Sequence, residues 1–253
     1  MEITIGLRSV VRTGCAYYRT LNKIYVKKGE NEIMNEISVI MGIVDIIPVV
    51  IFLIANLKLM DALKNKLSSN KYALLASGVY MLFFGGVCKI IWKFLYAFKV
   101  CDYTTLSECF FPMQSIGFIL MCVGVGSAVF AKKLPDNNIT LMASTAALIP
   151  VMSSHMPFLL ITLIAMTVLY VFIGIGTIKL KNAKAISFLI LSYGGFLINC
   201  FVGTASNNSD TIVAVYHWIA EFANIFAETF LLICVNSMIA HGLKDKHAFV
   251  KKA

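Results

Sequence analysis

Three ionisable residues share one face of the last apolar stretch of the chain. His217 and Glu221 are four residues apart and Glu228 follows seven residues later, so in a helix all three project from nearly the same side. An ionisable group inside a membrane-spanning segment is costly unless it is paired or solvated. Carboxylate and imidazole groups at successive depths are the side chains that proton relays use. The spacing predicts proton or cation coupling at Glu221 and Glu228, with His217 as a proton-responsive group.

Two earlier apolar stretches carry charges that could balance these carboxylates. Asp45 lies in the first stretch and Lys89 in the second. At about 1.5 Å per residue, Asp45, Lys89 and Glu221 come to a similar depth, in the half of the bundle where the first helix begins. The sequence therefore predicts one polar binding or coupling cluster in that half, formed by Asp45, Lys89, His217 and Glu221, with Glu228 leading deeper.

The same residues also fit a purely structural role. Asp45 and Lys89 could form a salt bridge that only sets helix packing. Lys93, one turn beyond Lys89, is expected to extend its ammonium to the membrane interface. Glu221 and Glu228 then have one cation, Lys89, in reach, which predicts that at least one of them is protonated or binds a cation.

Composition defines the elements that must position this cluster. The chain has 253 residues, of which 59% are apolar and 14% charged, whereas about 25% charged residues is usual in soluble domains. Apolar runs of spanning length predict an all-α, polytopic membrane bundle in one domain, residues 34–253. Seven spans are expected, at about 37–57, 72–98, 106–131, 139–152, 157–178, 185–204 and 211–241. In the alternative, the short fourth run and the fifth form one re-entrant hairpin.

Lysines in the connections set the expected orientation. Thirteen lysines fall in alternate connections and the tail, and one, Lys99, falls clearly on the other side. Because Lys and Arg stay on the cytoplasmic side, the C-terminus is expected to be cytoplasmic and the start of the first span outside. The net charge of +9 therefore reflects topology. The positive charges do not form a basic face on a folded domain, so a nucleic-acid partner is not expected.

The first 33 residues oppose this orientation, because they carry six positive charges. One hypothesis is that the native chain starts at Met34, since Lys27-Lys28-Gly29-Glu30 can be encoded by a purine-rich sequence that recruits bacterial ribosomes. This predicts a bacterial cytoplasmic membrane protein. A transit peptide and an interfacial amphipathic helix are the alternatives. The N-terminal residue of the native chain distinguishes them.

The cysteines and the absence of known motifs limit the kinds of disulfide, metal and cofactor site that the chain can form. Cys101 and Cys109 would face the outer side, where either a disulfide or two free thiols are expected. The spacings of Cys and His match no zinc or haem site, so no metal or cofactor is expected. The predicted topology resembles that of rhodopsins and seven-helix receptors, but no lysine lies between Thr211 and Leu243. This excludes a retinal Schiff base in the last helix.

The leading functional hypothesis is a carrier of a small solute, coupled to protons or cations through the polar cluster. The alternative is a sensor or receptor that binds a ligand in the same place and signals through a protein partner. A membrane enzyme and a structural subunit are lesser alternatives. An enzyme is disfavoured because the sequence has neither an HExxH nor a GxSxG motif.

Overall fold

The computed structural model describes residues 39–101, 103–130, 155–205, 213–245 and 249. These residues form seven α-helices and no strand. The helices are α1 (Val39–Leu63), α2 (Ser69–Ala97), α3 (Thr104–Glu108), α4 (Phe110–Phe130), α5 (His155–Lys179), α6 (Ala183–Ala205) and α7 (Val213–Ala240). All except the short α3 are long and apolar enough to cross a membrane, which gives six candidate spans. The protein is a multi-pass integral membrane protein with a helical fold.

Six of the predicted spans correspond to these helices, with ends that differ by a few residues. The main difference is α1, which continues to Leu63 before a 3₁₀ turn at Lys64–Lys66, six residues beyond the predicted end. The fourth predicted span, 139–152, lies outside the described residues. So does the basic segment 1–33.

Helix α1 shows how the sequence divides each helix between protein and lipid. Its exposed apolar side chains follow a spacing of three and four residues, at Ile40, Ile43, Ile47, Val50, Ile54 and Leu57. A buried stripe with the same spacing faces the bundle, at Met41, Asp45, Pro48, Phe52, Ala55 and Leu59. Two periodic stripes of this kind are expected when one helix face meets lipid and the other meets protein. Asp45 lies on the inward stripe.

Contacts between the helices define their relative directions. Helix α2 runs antiparallel to α1 and to α4, and α6 runs antiparallel to α5 and to α7. By contrast, α4 and α5 are parallel, because Ser115 Oγ donates to Phe158 O at 2.9 Å near their starts, and Lys179 Nζ donates to Val129 O at 2.6 Å near their ends. Helices α1 and α7 are parallel as well, since Lys58 Nζ donates to Asn236 Oδ1 at 2.8 Å near their ends.

These directions bring the lysines of alternate connections to one end of the bundle, called here the lysine-rich end: Lys58, Lys64, Lys66, Lys71, Lys179, Lys181, Lys184 and Lys244. Contacts there join the residues after α7 to α1 and the turn that follows it. Lys244 Nζ forms a salt bridge of 2.6 Å with Asp61, and Lys66 Nζ donates to the carbonyl of Asp245. Both contacts are exposed and therefore contribute little to stability.

The interior of the bundle is divided along its axis. The main hydrophobic core fills the half nearest the lysine-rich end, with Leu59 and Leu63 of α1, Leu75 of α2, and Val235 and Met238 of α7 among its members. The opposite half contains the buried charged residues Asp45, Lys93 and Glu221, whereas one buried lysine, Lys71, lies at the lysine-rich end. We call these the apolar half and the polar half.

Close packing of α2 against α4 generates a stability prediction. A Cβ added to Gly78 would lie 2.6 Å from the backbone oxygen of Gly117, whereas one added to Gly194 of α6 would meet no atom within 4 Å. Gly78→Ala should therefore lower the free energy of unfolding by about 1–3 kcal/mol, because a backbone cannot yield as a flexible side chain can. Gly194→Ala should leave it unchanged or raise it slightly. Thermal unfolding of the purified variants measures both effects, and equal stability of the two would contradict the close approach.

Candidate functional site

The ammonium group of Lys93 is the centre of the polar half. Its Nζ lies 2.5 Å from Asp45 Oδ2 and 2.5 Å from Glu221 Oε1. The side chains are almost fully removed from solvent, with 3% of Lys93 and 2% of Glu221 exposed. One cation thus joins α1, α2 and α7. We refer to Asp45, Lys93 and Glu221 as the triad.

The expectation for Lys93 is wrong: the structure buries it, whereas an ammonium at the membrane interface was predicted. The pairing of Asp45 with Lys89, expected from depth along the helices, is not the contact observed, because Asp45 pairs with Lys93. Val49 of α1 packs at Gly86 and Phe94 packs at Gly42, so the level of Asp45 falls between the two lysines. Depth alone could not choose between them. The rotation of α2 decides, because it directs Lys93 toward α1 and α7.

Lys89 lies one turn away and faces another helix. Its ammonium lies 5.4 Å from the centroid of the Phe110 ring at the start of α4, a distance that suits a cation–π interaction. Its charge still acts on Asp45 and Glu221. Two ammonium groups therefore accompany two carboxyl groups, and the cluster has no net charge when all four are ionised.

Because Lys93 Nζ lies 2.5 Å from both Asp45 Oδ2 and Glu221 Oε1, it holds the two carboxyl groups next to each other. The second oxygen of Glu221, Oε2, is buried and has no hydrogen-bond partner among the described residues. Two ionised carboxylates repel, and a hydrogen bond between them requires that one carries a proton. The Asp45–Glu221 pair can therefore bind one proton, and the bound proton replaces the repulsion between the two carboxylates by a hydrogen bond.

His217 lies one turn before Glu221, as predicted, and is partly buried. The charges of Lys93, Lys89 and Asp45 all act on its imidazole. On the other side of Glu221, Asn199 of α6 donates through Nδ2 to Asn224 Oδ1 at 2.7 Å. Asn224 is not among the residues predicted from the sequence, although its position three residues after Glu221 places it on the same helix face.

Glu228 is separate from the triad. It is 6% exposed, and its Oε2 has no hydrogen-bond partner within the described parts of the chain. Across the bundle, its charge acts on the hydroxyl of Tyr170 in α5. The Tyr170 hydroxyl is 2.7 Å from Ser192 Oγ, and Ser192 in turn donates to Ala227 O at 2.7 Å.

Cys101 and Cys109 are not joined by a disulfide in this structure. Cys109 Sγ donates to Leu106 O at 3.1 Å and also lies within hydrogen-bonding reach of the Cys88 thiol. The disulfide stays a prediction. Across residues 39–101, 103–130, 155–205 and 213–245, no group of three Asp, Glu, His or Cys side chains could hold a metal ion.

Comparison of the chain with protein-family models gives no match, and comparison with characterised proteins and with solved structures gives no significant match. The geometry of the cluster is therefore the basis for assigning a function.

The geometry of the triad predicts that replacing Lys93 lowers the free energy of unfolding much more than replacing Lys89. Lys93→Met leaves two buried carboxylates without their cation, which should lower the free energy of unfolding on the order of 3–5 kcal/mol. Lys89→Met makes the same chemical change one turn away, and should cost about 0.5–2 kcal/mol through the lost cation–π contact. Adding Glu221→Gln to Lys93→Met should recover part of the loss, because it removes one uncompensated charge. Thermal or denaturant unfolding measures these differences, and equal losses for the two lysine variants would refute a central role for Lys93.

Proposed function

We propose that this protein is a proton-coupled carrier of a small solute, and that the Asp45–Glu221 pair binds the coupled proton. The observation that carries the proposal is the contact of two buried carboxyl groups, one from α1 and one from α7, on a single buried ammonium. Such a site can take up one proton, because protonation of either carboxyl group relieves the repulsion between the two. Ion-coupled carriers require a protein state that depends on occupancy by the ion.

The two protonation states would hold the helices differently. Without the proton, both carboxylates attract Lys93 and repel each other, so the ammonium must stay between them. With the proton, the carboxyl groups bond to each other and one loses its charge, so the attraction between Lys93 and that partner weakens. Uptake of a proton would therefore loosen α2 from α1 or α7 while those two helices remain joined. His217 and Lys89 would tune this equilibrium through their charges.

The division of the interior indicates where the solute would enter. The triad lies in the half where α1 and α7 begin, whereas the hydrophobic core fills the half nearest the lysine-rich end. In the proposed carrier the solute would therefore reach the triad from the end where α1 and α7 begin, and the apolar half would close the path toward the lysine-rich end. The alternating-access scheme for such proteins requires a second state with the opposite closure.

A transport assay tests the proposal directly. In proteoliposomes with a trapped pH-sensitive dye, addition of the transported solute should drive proton movement, and candidate solutes are screened by chemical class. Glu221→Gln should reduce this movement to below about a tenth, because a neutral amide cannot exchange the proton. Glu108→Gln, the same change at an exposed residue of α3, should retain the rate of the unmodified protein.

The alternative of a sensor or receptor gives a different result in the same screen. Its ligand would raise the thermal stability of the purified protein without moving protons. Proton movement that is unaffected in Glu221→Gln would contradict the role given to the carboxyl pair.

We also propose seven spans, with the lysine-rich end in the cytoplasm of a bacterial cell. Because α4 and α5 are parallel, α4 ends at the lysine-rich end and α5 begins at the opposite end. The connection between them must therefore return from one end to the other, which supports the predicted span at 139–152. Helix α5 also runs alongside the full length of α4, from the Ser115–Phe158 contact to the Val129–Lys179 contact. A re-entrant hairpin of runs four and five fits this less well. Because lysines stay on the cytoplasmic side of a membrane, the lysine-rich end is placed in the cytoplasm.

Tags placed at the two termini test this topology. With seven spans, a tag after Ala253 should be protected from added protease in intact cells, while a tag placed directly before Met34 should be cleaved. Permeabilised cells, in which both tags must be cleaved, are the control. Protection of both tags in intact cells would indicate an even number of spans.

A further inference from the structure

Glu228 is a buried acid that the Asp45–Glu221 pair does not use. It lies on the same face of α7 as Glu221, with Asn224 between them. The distance from Glu221 to Glu228 along the helix axis is about 10 Å, too long for direct transfer of a proton. The Asn199–Asn224 pair supplies polar atoms at the intermediate level, where a water molecule could be held.

Among the described residues, the surroundings of Glu228 provide no counter-charge. On α1, the buried residues near its level are Pro48, Phe52 and Ala55, followed by Asn56, whose amide donates to Phe52 O. On α5, the charge of Glu228 acts on the hydroxyl of Tyr170, which lies beside the Tyr193 ring of α6. The lysines of the polar half are matched by Asp45 and Glu221. An ionised Glu228 would thus be an isolated charge in a low-dielectric interior, which costs far more than holding a proton.

The local hydrogen bonds are consistent with a neutral acid. The Ser192 hydroxyl donates its hydrogen to Ala227 O. In the hydrogen bond between the hydroxyls of Ser192 and Tyr170, the donor is therefore Tyr170. The Tyr170 oxygen consequently keeps its lone pairs as acceptors, directed away from Ser192. A metal cation would need several oxygen ligands in addition to a carboxylate, and no group of three Asp, Glu, His or Cys side chains that could hold one lies among the described residues.

Beyond Glu228, the same face of α7 becomes apolar. Leu231, Val235 and Met238 follow at intervals of three and four residues, each 6% exposed or less. They belong to one hydrophobic core with Leu59 and Leu63 of α1. Glu228 is therefore the last polar group on this face before the apolar half, which closes the path to the lysine-rich end.

From this placement we infer that Glu228 is a second proton-binding site, at which the coupled proton is held before release toward the lysine-rich end. In this closed state the acid already holds a proton. Opening of the apolar half exposes the acid to water and the proton is released; after the half closes again, the ionised acid takes the next proton from the Asp45–Glu221 pair through the Asn224 level. The inference rests on the proposed function. It further identifies the coupled ion as a proton and not a metal cation.

Infrared spectroscopy of the protein in lipid membranes tests the state of Glu228 without any solute. A protonated carboxyl group has a C=O stretching band that an ionised carboxylate lacks. We expect such a band at neutral pH in the unmodified protein, its loss in Glu228→Gln and its retention in Glu221→Gln. Thermal stability should be unchanged in Glu228→Gln, because the amide has the shape of the neutral acid. No difference between the spectra of the unmodified protein and Glu228→Gln would overturn the inference.

Proton movement tests the release step. Solute-driven proton movement in proteoliposomes should fall to below about a tenth in Glu228→Gln and be partly kept in Glu228→Asp, because only the latter can exchange a proton. Replacing protons by a Na⁺ gradient should drive no uptake of the solute. Undiminished movement in Glu228→Gln, or uptake driven by Na⁺, would overturn the inference. If no solute moves protons even with the unmodified protein, the carrier proposal fails, whereas the infrared band still decides the state of Glu228.

Discussion

A lysine ammonium inside a membrane-spanning bundle is tolerated only where oxygen atoms replace its water. Asp45 and Glu221 supply these atoms to Lys93 from two different helices, so the position of each helix depends on the other two. The contact specifies the rotation of α1, α2 and α7 as well as their depth, because a turn of any one of them would expose a charge to hydrocarbon. Apolar packing alone imposes no such constraint, since lipid and protein interiors are similarly apolar.

The two halves of the interior hold the helices together in different ways. In the apolar half, Leu63, Leu75 and Val235 exclude water and hold the helix ends together. In the polar half, the helices are joined by charges and by amide and hydroxyl pairs, which can exchange partners at lower cost than a packed core can be opened. One half is therefore suited to respond to protonation, while the other resists it.

The sequence predicted the elements well because a spanning helix needs a long apolar run, and such runs are visible without tertiary information. It also selected Asp45 and Glu221, since carboxylates in hydrocarbon are conspicuous. The prediction for Lys93 was wrong because counting residues gives the depth of a side chain only to within about one helical turn. It does not give the rotation of the helix about its own axis. A better signal was available in α1, where Asp45 lies on the stripe opposite the exposed isoleucines. The same test on α2 requires knowledge of its neighbours, because its Lys89 face meets α4.

The sequence separation within the triad has a consequence for biosynthesis. Asp45 and Lys93 belong to the first two helices and can pair soon after the ribosome has made them. Glu221 is in the last helix, so it reaches the membrane when nearly the whole chain has been synthesised. Until then the Lys93 ammonium lacks its second carboxylate, and the early bundle carries an incompletely satisfied charge. Arrival of α7 completes the set, so a chain truncated before this helix keeps a buried ammonium that is only partly compensated, which is costly inside a membrane.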